Sequence, residues 1–300
     1  MSDAPVSGAP AAGPLLSALE LERELSSGHP PAVLDASHLL HAPRFDGDHR
    51  HDSGRARWEA ARIPGSVHVE VTEGFSVAGA PQHYSHPEPQ ALADVLAALG
   101  VTRARRVVVA DSTGGLFAAR LWYLLDWIGV DVRVLDGGVP AWRAAELPVE
   151  SGPAPAPVPV PSWPAVAVRD AWVERDELVA RAADDARPLV CGLPTASFDG
   201  SAPTRYARRG RIPGSVSVPA RDLFGPGGLL AAPAAVRAAY RAAGVGLGPE
   251  DAEVLLYCGG GISAAANALA LAAVGVRRVR VYDGSLEEWA ADPALPLELG

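Results

Sequence analysis

The chain has 300 residues, of which 48% are hydrophobic and 20% charged, so at roughly 150 residues per domain it can form one large globular domain or two medium ones. All 26 basic residues are arginine because the sequence contains no lysine, which excludes Schiff-base, pyridoxal-phosphate and Walker-type phosphate-binding lysines. A net charge of -9 argues against nucleic acid or an anionic membrane as a partner.

Short β-branched runs alternate along the chain with longer Ala, Leu and Arg stretches of helical period. The runs predict strands at 33–35, 67–71, 107–110 and 132–135, and then at 189–191, 215–218, 254–257 and 279–282. This alternation predicts an α/β fold, in which mostly parallel sheets are flanked by helices.

Two sequence blocks occur twice, in the same order. The hexapeptide RIPGSV at 62–67 recurs unchanged at 211–216, and VLDGG at 134–138 is matched by VYDGS at 281–285. A duplicated domain is therefore predicted, with boundaries at 15–149 and 165–300. Proline occupies every second or third position of most of the segment 150–164 between them, which predicts a semi-rigid extended linker.

The compartment is predicted from what the chain lacks. Two cysteines are too few to stabilise a secreted fold of this size by disulfide bonds. The N-terminal segment MSDAPVSGAPAAGP has no basic region followed by an apolar run, and no stretch of 18 apolar residues occurs. We therefore expect a cytoplasmic protein that does not span a membrane.

The two copies differ at the end of their third predicted strand, where the first has Asp111 and the second has Cys258. Ligands of open α/β sheets bind at the carboxyl ends of strands. Three glycines follow Cys258, and Ser263 is the predicted N-cap of a helix that ends at Gly275. Backbone N–H groups and a helix N-terminus stabilise an anion, so we expect the reactive thiolate form of the cysteine.

Two other interpretations fit this loop. A cysteine at a strand end is commonly a small buried hydrophobe, and three glycines can simply form a turn. The spacing Gly259-x-Gly261-x-x-Ala264, with Asp283 further on, also fits the dinucleotide-binding fingerprint. That match is weak because the fingerprint opens the first βα unit of its domain, whereas two predicted strands precede it here.

From about Leu15 onward the chain resembles the tandem-domain rhodaneses, which are the thiosulfate and 3-mercaptopyruvate sulfurtransferases. The matching segments are Leu34-Asp35-Ala36-Ser37, both RIPGSV blocks, Leu135-Asp136-Gly137-Gly138, Cys258 to Ser263, and Tyr282-Asp283-Gly284-Ser285 with Glu288-Trp289. The resemblance implies two rhodanese-like domains, of which the first has lost its cysteine to Asp111 and is inactive. The second would carry the active loop.

The implied reaction is a ping-pong sulfur transfer in which Cys258 takes a sulfane sulfur from a small anionic donor, 3-mercaptopyruvate or thiosulfate. The loop residues Gly259, Gly260, Gly261, Ile262 and Ser263 would hold the resulting persulfide with their backbone amides, without a metal or an organic cofactor. The acceptor would be a small thiol, a reduced dithiol protein or cyanide. A non-catalytic sulfur carrier or regulatory module is the alternative, and a nucleotide-dependent oxidoreductase is a weaker one.

An arginine shortly after the first predicted strand of the catalytic domain binds the donor's carboxylate or sulfonate in this family, and Arg205 matches it best. We expect Arg208, Arg209 and Arg211 either to form a positive patch that steers anions or only to solvate a loop.

The chain departs from the family pattern at several positions. Cys191 stands where the family has Asp, as a packed core thiol or a second redox group. Thr72 stands at the family's relay Asp, and either His83 or His86 could be the relay histidine, so no proton relay is assigned. Small loop residues place the chain nearer the mercaptopyruvate members.

Overall fold

The computed structural model describes residues 13–181 and 185–300. The first half contains β1 (Leu15–Leu16), α1 (Ala18–Leu25), β2 (Ala32–Asp35), β3 (His38–Leu40), β4 (His51–Ser53), α2 (Arg55–Ala60), β5 (Val67–His68), α3 (Pro89–Ala98), β6 (Val107–Ala110), α4 (Leu116–Trp127), β7 (Val132–Leu135) and α5 (Gly138–Ala144). The second half contains β8 (Trp172–Val173), α6 (Arg175–Val179), β9 (Leu189–Cys191), α7 (Thr195–Phe198), β10 (Val216–Ser217), 3-10 turns at Ala220–Leu223 and Pro226–Gly228, α8 (Pro233–Ala242), β11 (Val254–Tyr257), α9 (Ile262–Ala273), β12 (Val279–Tyr282) and α10 (Ser285–Trp289).

Each half forms a parallel five-stranded sheet, and the two sheets have equivalent strand orders. The first is β1-β7-β6-β2-β5, and the second, read in the same direction, is β8-β12-β11-β9-β10. All residues of the central strands β6 and β11 are buried, as expected for continuous apolar runs covered by helices on both faces. The predicted fold class, two α/β domains with mostly parallel sheets, is confirmed.

Several predicted elements differ from the structure at the sheet edges. The strands predicted at 67–71 and 215–218 are only two residues long, and the edge strands β1 and β8 were not predicted. A two-residue strand carries no periodicity that a sequence pattern can reveal. The first half also has an antiparallel hairpin, β3–β4, between β2 and α2.

The prediction that Ser263 caps the helix after Cys258 is wrong. The helix α9 begins at Ile262, and its N-cap is Gly261, whose left-handed φ of 78° closes the turn. Gly115 caps α4 in the same way, with a φ of 88°. In both halves glycine supplies this backbone conformation at little steric cost.

The two halves pack through the equivalent helices α4 and α9, and one hydrophobic core continues across them. Arg120 of α4 is fully buried and forms an ion pair of 2.7 Å with Asp283, which follows β12. The proline-rich segment and the residues just after it run along the first half, where Val160 and Val168 donate backbone hydrogen bonds to the ends of α3 and α4. Among the described residues, no helix combines the length and apolar character of a membrane span.

Candidate active site

A cavity of about 360 Å³ lies between the two halves, at the carboxyl ends of β9 and β11. The cavity is lined by most of the predicted site residues, namely Cys258, Gly259, Gly260, Ile262, Ser263 and Arg205. The first half contributes a largely apolar wall made of Leu40, Ala42, Pro43, His49, Tyr84, Leu116 and Phe117. The cavity is therefore complete only when both halves are present.

Cys258 directly follows β11, and the start of α10 fixes its backbone. The Cys258 N–H donates to the Ser285 hydroxyl at 3.0 Å, and its carbonyl accepts the Leu286 N–H at 3.2 Å. The Glu287 N–H donates to the Gly259 carbonyl at 2.9 Å. These bonds hold the thiol at the cavity floor, where the residue is only 1% exposed.

The three glycines of the loop have different surroundings. A Cβ on Gly259 would collide with the Tyr206 hydroxyl, and one on Gly260 would lie 3.3 Å from the Glu287 carboxylate. Gly261 does not line the cavity: its Cβ would lie 2.6 Å from the Asp283 carboxylate. The loop therefore fits between the cavity on one side and the buried ion pair on the other.

The equivalent loop of the first half shows what its backbone binds. The Asp111 carboxylate accepts three backbone hydrogen bonds, from Thr113 at 2.9 Å, Gly115 at 2.9 Å and Ala118 at 3.0 Å. Burial raises the pKa of Asp111, and these three N–H groups act in the opposite direction. An acidic side chain thus occupies this ring of amides in the first half.

Arg205 lies in the cavity wall and is held by the first half. Its guanidinium donates to the His41 carbonyl, while its buried Nε has no partner among the described residues. The loop of the β3–β4 hairpin fixes the same segment, because Gly47 donates to the Thr204 carbonyl at 2.8 Å and Thr204 donates to Asp46 at 2.9 Å. A free N–H in the cavity wall suits a carboxylate or sulfonate.

Of the two alternatives for Arg208, Arg209 and Arg211, the anion-steering patch does not fit the structure, because these arginines have other partners. Arg208 donates to backbone carbonyls around the end of α10, including that of Ala290 at 2.9 Å. Arg209 pairs with Asp46 at 2.9 Å, and Arg211 pairs with Glu298 at 3.3 Å.

The second arginine that does line the cavity is Arg221, in the 3-10 turn after β10, which sequence reasoning missed. It is exposed, and its side chain makes no ion pair or hydrogen bond within the described part of the chain. Its neighbours in sequence, Ala220 and Asp222, belong to no catalytic or binding motif, so sequence reasoning had no reason to single it out.

Glu287 and His49 also line the cavity, and sequence reasoning missed both. The Glu287 carboxylate is hydrogen-bonded to the ring and backbone of His83, whose ring stacks on His49 at 3.7 Å. Burial and the neighbouring His83 lower the pKa of His49. The donor atoms of these three residues lie within 4.8 Å of one another, a spacing that could also suit a metal ion.

The two histidines considered for a relay have separate environments. His83 contacts Glu287 beside the cavity. The ring of His86 instead stacks on Trp172 at 4.2 Å, and the backbone N–H of His86 donates to the Asp283 carboxylate. Neither His86 nor Thr72 lines the cavity.

Two tyrosines and the second cysteine complete the surroundings of the loop. Burial raises the pKa values of Tyr84 and Tyr206 well above their usual range, so both hydroxyls stay protonated and can donate hydrogen bonds. Cys191, at the end of β9, is fully buried and does not line the cavity. Burial raises the pKa of its thiol to about 12, which makes it an uncharged core side chain at neutral pH.

Fold and site together define a class of protein: two duplicated α/β domains with one cysteine in a glycine-rich loop at their interface. The profile of the rhodanese-like domain matches residues 18–145 and 181–292. The chain belongs to the rhodanese family.

Named relatives agree with this assignment. The 3-mercaptopyruvate sulfurtransferase of Escherichia coli is 31% identical over 79% of this chain and 83% of its own. SseB of Mycobacterium tuberculosis, which is named for a thiosulfate sulfurtransferase activity, is 29% identical over 95% of this chain and 97% of its own. The crystal structure of SseA from Escherichia coli is 26% identical and superposes with a TM-score of 0.73, covering 91% of this chain and 99% of that one.

Proposed function

We propose that this protein is a sulfurtransferase that moves a sulfane sulfur from 3-mercaptopyruvate or thiosulfate, through a persulfide on Cys258, to a thiol or cyanide acceptor. The observation that carries the proposal is the contrast between the two loops. The first fills its ring of amides with the Asp111 carboxylate, whereas the second places a thiol at the equivalent position. We infer that the backbone N–H groups of the loop after Cys258 and of the first turn of α9, which begins at Ile262, surround the sulfur of Cys258 in the same way.

In the first half-reaction the Cys258 thiolate attacks the transferable sulfur of the donor. With 3-mercaptopyruvate the C–S bond breaks, and its electron pair leaves as the enolate of pyruvate, which takes up a proton. With thiosulfate the S–S bond breaks and sulfite leaves. The new persulfide anion accepts hydrogen bonds from the loop amides, which stabilise it as an oxyanion hole stabilises an alkoxide.

Arg205 would bind the donor's carboxylate or sulfonate, since its Nε is buried without a partner in the cavity wall. The cavity also holds Arg221 and the Glu287 carboxylate, which partly cancel. With Arg205 these groups sum to about +1, and the Cys258 thiolate brings the sum near zero, so the charge of the cavity does not choose between 3-mercaptopyruvate and thiosulfate.

Intact-mass measurement tests the proposal. After incubation with 3-mercaptopyruvate the protein should gain the mass of one sulfur atom, which a thiol should remove. Cys258→Ser should gain none, and Cys191→Ser should still gain one. Arg205→Ala should raise the KM for the donor with a smaller effect on kcat. If neither donor adds sulfur to Cys258, the protein is not a sulfurtransferase. If sulfur adds but no thiol or cyanide removes it, the non-catalytic carrier is the correct alternative.

A further inference from the structure

A second cavity, of about 260 Å³, adjoins the active cavity on the side of the first half. The two cavities share four wall residues, which are Leu40, Leu116, Phe117 and Arg221. Its remaining walls come from α2, from the start of β3 and from the Asp111 loop, and they are His38, Leu39, His41, Arg57, Ser112 and Thr113. A molecule longer than the donor could therefore occupy both cavities at once.

The charge of this second cavity is positive. Arg57 and Arg221 are both exposed, and within the described residues neither guanidinium makes an ion pair or a hydrogen bond. None of the described residues that line the cavity is Asp or Glu. Two unpaired guanidinium groups on one small concave surface attract an anion, and their planar N–H groups suit a carboxylate or phosphate.

Two buried polar side chains in the wall of the second cavity provide an independent observation. His38 is only 2% exposed, and its Nδ1 has no hydrogen-bond partner among the described residues. Its Nε2 lies 3.5 Å from the Tyr84 hydroxyl. Burial lowers the pKa of His38 to about 4, so the ring is uncharged at neutral pH. In the tautomer in which Nε2 accepts from the Tyr84 O–H, Nδ1 carries the proton. The Thr113 hydroxyl is also buried without a partner in the described part of the chain. Buried donors of this kind are normally satisfied, and an anion in the cavity would accept from both.

We propose that this anion pocket, defined by Arg57, Arg221, His38 and Thr113, binds a carboxylate or phosphate group of the thiol that accepts the sulfur. The inference rests on the proposed function. The donor is small, and its anionic group already meets Arg205 beside Cys258. A ligand group in the anion pocket lies beyond Leu116 and Phe117, so it belongs to a larger molecule whose thiol reaches Cys258.

The transfer step itself is balanced without another reactant. The acceptor thiolate attacks the outer sulfur of the Cys258 persulfide, and a new S–S bond forms on the acceptor. The bond to Cys258 breaks, and its electron pair returns to the Cys258 sulfur as a thiolate. The anion pocket would hold the far end of the acceptor during this attack and so lower the concentration needed.

Single-turnover kinetics on the full chain tests the inference. Cys258 is first loaded from 3-mercaptopyruvate and checked by mass. Its loss of sulfur is then followed against the concentration of glutathione, which carries two carboxylates, or of uncharged 2-mercaptoethanol. Arg57→Ala should raise the half-saturating concentration of glutathione about tenfold and leave that of 2-mercaptoethanol unchanged. Arg55→Ala, an exposed arginine of the same helix outside the pocket, is the matched control and should change neither.

The outcomes separate the two proposals. If Arg57→Ala changes the half-saturating concentrations of both thiols equally, or of neither, the anion pocket is not an acceptor site. The sulfurtransferase proposal then still stands. If Cys258 never gains sulfur, the proposed function fails and the anion pocket inference fails with it.

Discussion

Replacing each loop glycine by alanine in turn should produce three different effects, because each Cβ would meet different atoms. At Gly260 the new methyl would lie 3.3 Å from the end of the Glu287 side chain, which can rotate away. At Gly259 it would coincide with the Tyr206 hydroxyl. At Gly261 it would lie 2.6 Å from Asp283 and 2.8 Å from Arg120, in a backbone with a φ of 78°.

The expected losses in the free energy of unfolding follow from these contacts. Gly260→Ala should change stability by less than about 1 kcal/mol, since the less flexible unfolded chain offsets the tight contact. Gly259→Ala should cost about 1–3 kcal/mol, as overpacked sites do. Gly261→Ala should cost roughly 2–5 kcal/mol, because about 1–2 kcal/mol for left-handed alanine adds to the overpacking of a buried ion pair that cannot move aside.

Urea unfolding followed by tryptophan fluorescence measures these losses, and intact mass after donor treatment reports whether the loop still takes up sulfur. A second variant sharpens the experiment. Tyr206→Phe removes the hydroxyl that the Gly259→Ala methyl meets, so it should recover part of the stability lost in Gly259→Ala and none of that lost in Gly261→Ala. Equal losses at all three glycines, or a recovery of Gly261→Ala by Tyr206→Phe, would refute this account of the loop.

Four further predictions concern the surroundings of the site. Asp283→Asn leaves the fully buried Arg120 unpaired and should lower the free energy of unfolding in urea by about 3–5 kcal/mol. Asp170→Asn breaks the ion pair between an exposed aspartate and Arg280 and should lower it by less than about 1 kcal/mol. Similar losses for the two variants would contradict the role of the buried ion pair. Burial lowers the pKa of His38 from the usual 6.5 to about 4, so between these pH values the unfolded chain binds a proton and the folded protein does not. The free energy of unfolding should therefore fall as pH drops from 6.5 toward 4, and His38→Gln should reduce this fall. If His38→Gln leaves the profile unchanged, carboxylates alone shape it. Iodoacetamide should label Cys258 in the native protein and Cys191 only after unfolding, as peptide mapping would show; early labelling of Cys191 would mean that it is not a core thiol. EDTA treatment should leave sulfur transfer unchanged, and a loss that Zn²⁺ restores would instead make His49, His83 and Glu287 a metal site.

The central strands of the two sheets were predictable from the sequence because a continuous run of apolar residues is enough to indicate a buried strand. The runs at 107–110 and 254–257 are apolar throughout, and the structure buries every residue of both. Edge strands such as Leu15–Leu16 and Val216–Ser217 are too short to show a period, and their extent depends on a neighbouring strand. The duplication was predictable for a different reason, since identical turn residues recur in the same order.

The candidate site was predictable only where one segment carries it. Cys258 and its loop are contiguous, and Arg205 lies in a segment that resembles the family. Arg221 and Glu287 reach the cavity from other elements, and nothing next to them in sequence marks them. The positive patch failed for the same reason, because the partners of Arg209 and Arg211 lie far away in the chain. Charge pairing between distant segments cannot be inferred from the spacing of arginines.

The first half has Asp111 where the second half has Cys258, yet both halves have the same architecture, and the first half contributes to the cavity. Its loop binds its own Asp111 carboxylate, so that ring of amides has no room for a substrate anion. The helix that begins after this loop nevertheless contributes Leu116 and Phe117 to the wall opposite Cys258, and the β3–β4 hairpin holds the segment of Arg205. Isolated from the first half, residues 165–300 would keep the thiol but lose the opposite wall of the cavity and the supports of Arg205. The fold of the first half is therefore needed for the chemistry that we propose for the second.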